Sequence, residues 1–195
     1  MTILAAVMVP HPPLIVPEIG KGEELKIKDT ITGFTKAMEL IAGLKPDTVV
    51  IISPHSIVYS DYFHISPGKS ASGNLGNFGA NHVKFEVDYD PEFVAELERI
   101  AQREGFSAGT QGEREKKLDH ATMVPLYFLK KAYGGEIPCK IVRIGLSGMP
   151  LSEHYRLGTL IKKTAEELCR AVCVIASGDL SHVLKEDGPY GYKAE

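Results

Sequence analysis

The chain of 195 residues contains only three cysteines, no tryptophan and no long apolar run. Cys139, Cys169 and Cys173 form no Cys-x-x-Cys pair, so the sequence excludes a disulfide framework and fits a reducing compartment. No apolar stretch approaches the ~20 residues that a membrane-spanning helix needs. The N-terminus also lacks the basic segment of a signal peptide. We therefore expect a cytoplasmic protein with no membrane partner.

An excess of basic charge is also missing. The net charge is -3, and basic residues mix with acidic ones, as in EREKK at residues 113–117. A nucleic-acid-binding protein usually shows a basic stripe or patch, so nucleic acid is not an expected partner. Hydrophobic residues make up 44% of the chain, which is enough to bury a core. The length predicts a single domain over residues 1–195.

The order of apolar segments predicts an α/β fold. Short apolar runs at residues 3–9, 48–52, 140–146 and 172–176 are typical of buried strands. Helical spacing of apolar residues marks segments 23–42, 91–104 and 152–168, and a further segment that Asp119 can cap. Because strands and helices alternate, we expect a central mixed, largely parallel sheet.

Residues 57–89 break this alternation. Segments 62–65 and 83–87 have the pattern of strands, and we expect an antiparallel β-hairpin inserted after the second strand of the sheet. The stretch between them, residues 68–81, is rich in Gly, Ser and Asn. Such small polar side chains have little to bury. We therefore expect a mobile flap or a partner contact there, without a catalytic group.

Histidines follow two of the predicted strands in the same context. His11 lies in VPHPP at residues 9–13 and His55 in SPHS at residues 53–56, so each follows a strand end and a proline. The carboxyl ends of parallel strands share one edge of a sheet, where ligands bind. Neutral imidazole is a suitable ligand for Fe, Zn and Cu. The sequence therefore predicts that His11 and His55 bind a metal at this edge.

Two further histidines have neighbours that suit acid–base chemistry. His120 opens a predicted helix, and a helix N-terminus disfavours an imidazolium, so the ring tends to stay neutral. His182 follows the last strand in SGDLSH, where Asp179 or Ser181 could orient its ring. The alternative is that Asp119 is a helix cap and that Asp179 and Ser181 are turn residues, which is compatible with catalysis.

Four motifs, in this order along the chain, resemble those of the class III extradiol dioxygenases, whose catalytic subunit is of the LigB type. The motifs are VPHPP at residues 9–13, SPH at 53–55, DHATMVPL at 119–126 and SGDLSH at 177–182. The last two are most similar to the subgroup associated with the AmmeMemoRadiSam proteins and to the related Memo fold. The resemblance covers almost the whole chain and implies a central mixed sheet with helices on both faces.

The resemblance also implies roles for individual residues. His11 and His55 would be two ligands of a non-haem Fe(II) whose third ligand is a glutamate, with Zn or another divalent transition metal as the alternative. His182 would be the catalytic acid–base residue, and His120 a second catalytic group in the pocket. The expected partners are a catechol-type aromatic substrate and O2. A homo-oligomer is also expected as one option.

One feature of the family is missing from its usual place. The metal-binding glutamate of the family follows the LSH element, and only Glu186 and Glu195 come after it here. We therefore expect this ligand to lie beyond Glu195, with the chain as the N-terminal part of a longer protein. Two other functions stay open: a Memo-like module that binds a metal or a partner without dioxygenase turnover, and a metal-dependent hydrolase that activates water.

Overall fold

The computed structural model describes residues 2–183, 185–188 and 190–193. The strands within these ranges are β1 (Ile3–Val9), β2 (Thr48–Ser53), β3 (Phe63–His64), β4 (Ser70–Leu75), β5 (Ala80–Asp88), β6 (Ala108–Gly109), β7 (Lys140–Gly145) and β8 (Val172–Ser177). The helices are α1 (Pro17–Gly20), α2 (Lys28–Leu44), α3 (Pro91–Arg103), α4 (His120–Ala132) and α5 (Leu151–Glu167), with 3-10 turns at Pro13–Ile15, Glu23–Ile27 and Gly76–Phe78. None of the helices described is long and apolar enough to cross a membrane.

A four-stranded sheet forms the centre of the fold. Its strands lie in the order β1, β8, β2 and β7, and every neighbouring pair is parallel. In β2, the side chains of Val49, Val50 and Ile51 are all fully buried. Successive side chains of a strand point to opposite faces, so both faces of this sheet must be covered. The predicted α/β fold with a largely parallel sheet is confirmed.

Helices cover both faces of the sheet, as the resemblance implies. Helices α2 and α4 share a core with Val49 and Ile51, whereas α3 and α5 share a second core with Val50 on the opposite face. Tyr155 in α5 points away from the sheet and is 79% exposed. The reason is geometric: Tyr155 lies two residues, or about 200° around the helix, from the buried Leu157.

Carboxylate caps mark the beginnings of two helices. Asp90 accepts a hydrogen bond from the N–H of Phe93 at the start of α3, and Asp119 accepts one from Thr122 at the start of α4. The cap at Asp119 is the one expected from the sequence. The helix predicted over residues 23–42 is instead a 3-10 turn followed by α2, which ends at Leu44. Because α2 begins without a side-chain cap, the sequence does not mark its first residue.

The inserted hairpin is present, and one of its strands, β5, includes the predicted segment 83–87; the other predicted segment, 62–65, contains β3 and is not part of the hairpin. Strand β4 pairs antiparallel with β5, while β3 pairs in parallel with β6. The expected loop over residues 68–81 instead contains strand β4 and a 3-10 turn, and Leu75 and Ala80 are fully buried. A Cβ on Gly73 would lie 2.8 Å from the Sδ of Met123 in α4. The glycine therefore lets the hairpin pack closely on the helix that carries His120.

Candidate metal centre

Three histidine rings converge beyond the carboxyl ends of β1 and β2. His11, His55 and His120 each offer a ring nitrogen within 4.8 Å of the other two. The ring centroids are 5.0 Å apart for His11 and His55, 4.2 Å for His55 and His120, and 5.5 Å for His11 and His120. Nitrogens that bind one ion at ~2.1 Å lie at most ~4.2 Å apart, so the three nitrogens are close to the spacing that a shared ion requires.

Hydrogen bonds hold the backbone that carries two of these rings. The N–H of His11 donates to Oδ1 of Asp179 at 3.2 Å, which ties the loop after β1 to the loop after β8. The N–H of His55 donates to Oγ of Ser53 at 3.1 Å. Prolines on both sides of His11 restrict its loop further. His11 is buried and His55 is exposed, so the site opens to solvent on the His55 side.

Asp119 connects three elements of the fold directly before His120. Its Oδ1 accepts the hydroxyl of Ser53 at 2.6 Å and the N–H of Thr122 at 2.9 Å, while its Oδ2 accepts the hydroxyl of Thr122 at 2.9 Å. Nη1 of Arg143 lies 3.8 Å from the same Oδ2. The end of β2, the start of α4 and strand β7 therefore meet at one carboxylate. This carboxylate fixes the position from which His120 projects.

Asp179 faces two histidines. Its Oδ2 lies 3.1 Å from Nε2 of His182 and 3.7 Å from Nε2 of His11. The side chain of His182 is 59% exposed and stands outside the group of three nitrogens. Ser181, a candidate for orienting His182, instead accepts a hydrogen bond from the N–H of Val183 at 3.3 Å, the contact of a turn residue. His182 thus lies beside the three rings and is linked to them through Asp179.

Sequence reasoning misses Ser177, the last residue of β8. Its Oγ lies 3.0 Å from Nδ1 of His11 and 2.6 Å from the carbonyl oxygen of Ala121 in α4. The residue is buried. The available signal is its position, because the last residue of β8 lies on the same sheet edge as His11 and Asp179. Ser177 therefore joins the loop after β1 to the first turn of α4.

Sequence reasoning also misses the buried cation of Arg143. This residue of β7 is 1% exposed, and its guanidinium donates to Oγ of Ser66 and to the carbonyl oxygens of Lys117 and Glu115. It therefore holds the segment that leads into Asp119 against the sheet. The available signal is a charged residue inside the apolar run KIVRIG. A buried charge needs partners, so a position of this kind marks a polar network.

Burial affects the ionisation of the ring cluster. It lowers the pKa of His11 below its ordinary value, against the opposing attraction of Asp179. It also lowers the pKa of His120, and the neighbouring rings of His55 and His11 act in the same direction. Both rings are therefore held in the neutral form at neutral pH. The neutral imidazole is the form that binds a metal.

A cavity of about 490 Å³ adjoins the cluster. His55 and His120 form part of its wall, and Asn74, Asn77 and Phe78 reach it from the tip of the hairpin. The ring of Phe78 makes an edge-on contact with His120, with centroids 5.3 Å apart. An apolar ring beside polar groups suits a flat aromatic molecule. The hairpin, expected to carry no catalytic group, contributes this wall.

A carboxylate does not complete the ring cluster within the described ranges. The group of potential ligands consists of the three histidines alone. Glu18 is engaged elsewhere, since its Oε2 accepts the hydroxyl of Tyr127 at 2.9 Å. Glu186 is exposed, and Glu195 lies outside the described residues. The glutamate that the resemblance implies is therefore not supplied by the part of the chain described.

Comparison with known proteins decides the family. The family model described as the catalytic LigB subunit of aromatic ring-opening dioxygenase matches residues 5–195. The chain belongs to the LigB family. The resemblance inferred from the four motifs is thereby confirmed. The LigB match covers both histidine-bearing loops and the Asp119 and Asp179 elements.

Relatives of this LigB chain include proteins named as dioxygenases. Protein CA_C1420 of Clostridium acetobutylicum is 39% identical over 98% of this chain and 42% of its own length. A 2,3-dihydroxyphenylpropionate/2,3-dihydroxicinnamic acid 1,2-dioxygenase of a Mycobacterium species is 28% identical over 93% and 58%, respectively. A 2-aminophenol 1,6-dioxygenase beta subunit of a Pseudomonas species is 27% identical over 92% and 63%. The chain thus spans between about two fifths and two thirds of the length of these relatives.

Proposed function

We propose that this protein is a non-haem Fe(II)-dependent extradiol dioxygenase that opens a catechol-type aromatic ring with O2. The observation that carries the proposal is the convergence of three histidines, at the carboxyl edge of the sheet, beside a cavity with an aromatic wall. The relatives named as a 2,3-dihydroxyphenylpropionate/2,3-dihydroxicinnamic acid 1,2-dioxygenase and as a 2-aminophenol 1,6-dioxygenase beta subunit support the same reaction class.

The ring cluster has the chemistry of a metal site. His11 and His55 would hold the ion, and the third ligand would be a carboxylate outside the described residues. Burial favours the neutral ring of His11, which can bind a metal without first losing a proton. A bound ferrous ion would supply open coordination positions for a catecholate and O2 together, and a path for electrons between them. Zn or another divalent metal is the alternative occupant.

Two histidines would move protons. A catechol has to lose a hydroxyl proton before both of its oxygens can act as ligands, so the site needs a base. His182 suits this task because Asp179, at 3.1 Å, can stabilise the imidazolium that forms. His120, which lines the cavity, would be a neutral group that accepts or donates a hydrogen bond. Asp179 would position the ring of His182, and Asp119 would position His120 through the start of α4.

The cavity suggests how an aromatic substrate would lie. Phe78 offers an apolar ring to this cavity, and His55 and His120 offer polar groups. A catechol would therefore direct its hydroxyl groups toward the histidines and its ring toward Phe78. The tip of the hairpin would then contribute to substrate selection.

A metal-dependent hydrolase is the second candidate. Its support is that three histidines, without a carboxylate, form the ligand group among the residues described. Three-histidine sets occur at catalytic zinc ions that lower the pKa of bound water. In that case His120 would be a ligand rather than a pocket group, and O2 would not be consumed.

Oxygen uptake separates the two candidates. Protein loaded anaerobically with Fe(II) is mixed with catechols that differ in their ring substituents, and with the matching monophenols as negative controls. We expect one O2 consumed per ring opened, loss of activity in His55→Ala, and full activity in His82→Ala, which changes an exposed histidine on β5. Protein that binds the ion yet consumes no O2 with any catechol contradicts the dioxygenase proposal. Zinc-dependent ester hydrolysis that requires His55 would support the hydrolase.

We also propose a cellular location and an oligomeric state. The three free thiols, of which two are buried, support a cytoplasmic location, since such thiols persist in a reducing compartment. One relative is named as a beta subunit. That name supports assembly into an oligomer, which sedimentation of the purified protein would test.

A further inference from the structure

The hydroxyl of Ser177 has two short contacts but only one hydrogen to donate. Its Oγ lies 2.6 Å from the carbonyl oxygen of Ala121 and 3.0 Å from Nδ1 of His11. A serine hydroxyl has one hydrogen to donate and two lone pairs that accept. The carbonyl oxygen has no hydrogen, so the 2.6 Å contact requires that the hydroxyl donates to Ala121.

The carbonyl of Ala121 needs this donor because of a proline. In an α-helix the carbonyl of residue 121 would accept from the N–H of residue 125. Residue 125 is Pro125, which lies inside α4 and has no N–H. A buried carbonyl without a partner is unfavourable, and Ser177 supplies the missing hydrogen bond. Pro125 thereby explains why the hydroxyl points to α4 and not to His11.

With its hydrogen committed, Ser177 can only accept from His11. We propose that Ser177 is a positioning residue that fixes the neutral ring of His11 with its proton on Nδ1. Nε2 of His11 then carries the lone pair. Nε2 lies 3.7 Å from Oδ2 of Asp179, beyond hydrogen-bond distance, so no hydrogen is needed there. In the opposite tautomer, either Nδ1 and the Ser177 oxygen would face each other as two acceptors, or the hydroxyl would turn to Nδ1 and leave Ala121 without its donor.

The tautomer of His11 has a consequence for the metal site. This consequence rests on the proposed function, whereas the assignment of the tautomer does not. A ring nitrogen binds a metal through its lone pair, and the hydrogen bond of the other nitrogen decides which one is available. Ser177 would therefore aim Nε2 of His11 at the ion before the ion binds. Ser177, Ala121 and Pro125 link β8 and α4 to this single ring.

Nitrogen NMR of the metal-free protein tests the proposal directly. Histidine labelled with ¹⁵N is observed at roughly pH 8.5, two units above the ordinary histidine pKa, where the rings are neutral. The His11 signal is assigned by its loss in His11→Gln. We expect the Nδ1–H form in the natural protein, and a shift toward Nε2–H in Ser177→Ala. Ser177→Thr, which keeps the hydroxyl, should restore Nδ1–H.

Cys173→Ala is the matched control, because Cys173 lies on the same strand and the same face and is also buried. It should leave the tautomer unchanged. The Nε2–H form in the natural protein would overturn the proposal, and this result does not depend on the folding of any variant. An unchanged Nδ1–H form in Ser177→Ala would also overturn it. A titration with Co²⁺ follows, and Ser177→Ala should bind the ion about 10–100-fold more weakly. Correct tautomers without any Co²⁺ binding would refute the metal site and leave the tautomer assignment standing.

Discussion

Replacing Asp119 with alanine should damage both stability and metal binding. The substitution removes the acceptor of the Ser53 hydroxyl, the acceptor of the Thr122 hydroxyl and the cap of α4. It also removes the carboxylate that lies 3.8 Å from the buried guanidinium of Arg143. His120 is the next residue along the chain, and the N–H of His55 bonds to Ser53. The change therefore reaches two of the three rings.

The magnitude follows from these contacts. Loss of a helix cap costs about 1 kcal/mol, and each buried hydroxyl left without its charged acceptor costs about 1 kcal/mol or more. The sum predicts a decrease of about 3 kcal/mol in the free energy of unfolding. For the metal, loss of a group that orients ligands typically costs 10–100-fold in affinity.

Asp90→Ala is the control for this experiment, because Asp90 has the same kind of contacts at the other end of β2. It caps α3, accepts the hydroxyl of Thr48 at 2.6 Å and pairs with Arg170 at 3.1 Å. Urea unfolding and Co²⁺ titration are measured for both variants. Both should lose similar stability, and only Asp119→Ala should lose affinity for the ion. Equal ion affinity in the two variants would refute the assignment of Asp119 to the site.

Three further predictions concern the rings and the pocket. Because burial lowers the pKa of His11 and His120, the folded protein binds fewer protons there than the unfolded chain. The stabilisation that these two rings contribute should therefore be fully present above about pH 6.5, and the free energy of unfolding should fall as the pH drops below that value. The fall should be weaker in His120→Gln. Urea unfolding midpoints measured across this pH range test both expectations. His182→Ala should keep its metal content and lose ~10²–10⁴-fold in turnover; loss of the metal would instead make His182 a ligand. Phe78→Ala should weaken binding of an aromatic ligand about 2–10-fold in calorimetry, from the loss of about 0.5–1.5 kcal/mol of ring contact, and unchanged binding would place the ligand elsewhere.

Sequence patterns with a local cause predict much of this structure. His11 and His55 follow strands and prolines, and parallel strands share their carboxyl edge, so their meeting follows from topology alone. The caps formed by Asp90 and Asp119 are equally local, because a cap depends on residues within one turn. The parallel order of the sheet follows from the alternation of strands and helices.

The features that sequence reasoning misses depend on contacts between distant segments. Ser177 and Ala121 are 56 positions apart, and no local pattern joins them. The sequence shows Arg143 only as a charged residue within an apolar strand. Its hydrogen-bond partners depend on the path of the 113–119 segment, which the sequence does not predict. Strand β4, over residues 70–75, looks like a loop in the sequence because Gly73 and its small neighbours resemble turn residues. In the fold these residues permit close packing on α4.

Metal titration of the purified protein tests the central claim most directly. Under anaerobic conditions we expect one Fe(II) bound per chain, and loss of binding in both His11→Ala and His55→Ala. His82→Ala, which changes a histidine on the exposed side of β5, should bind the ion as the natural protein does. Absence of binding to the natural protein, or equal binding in His11→Ala, would contradict a metal centre at this edge of the sheet.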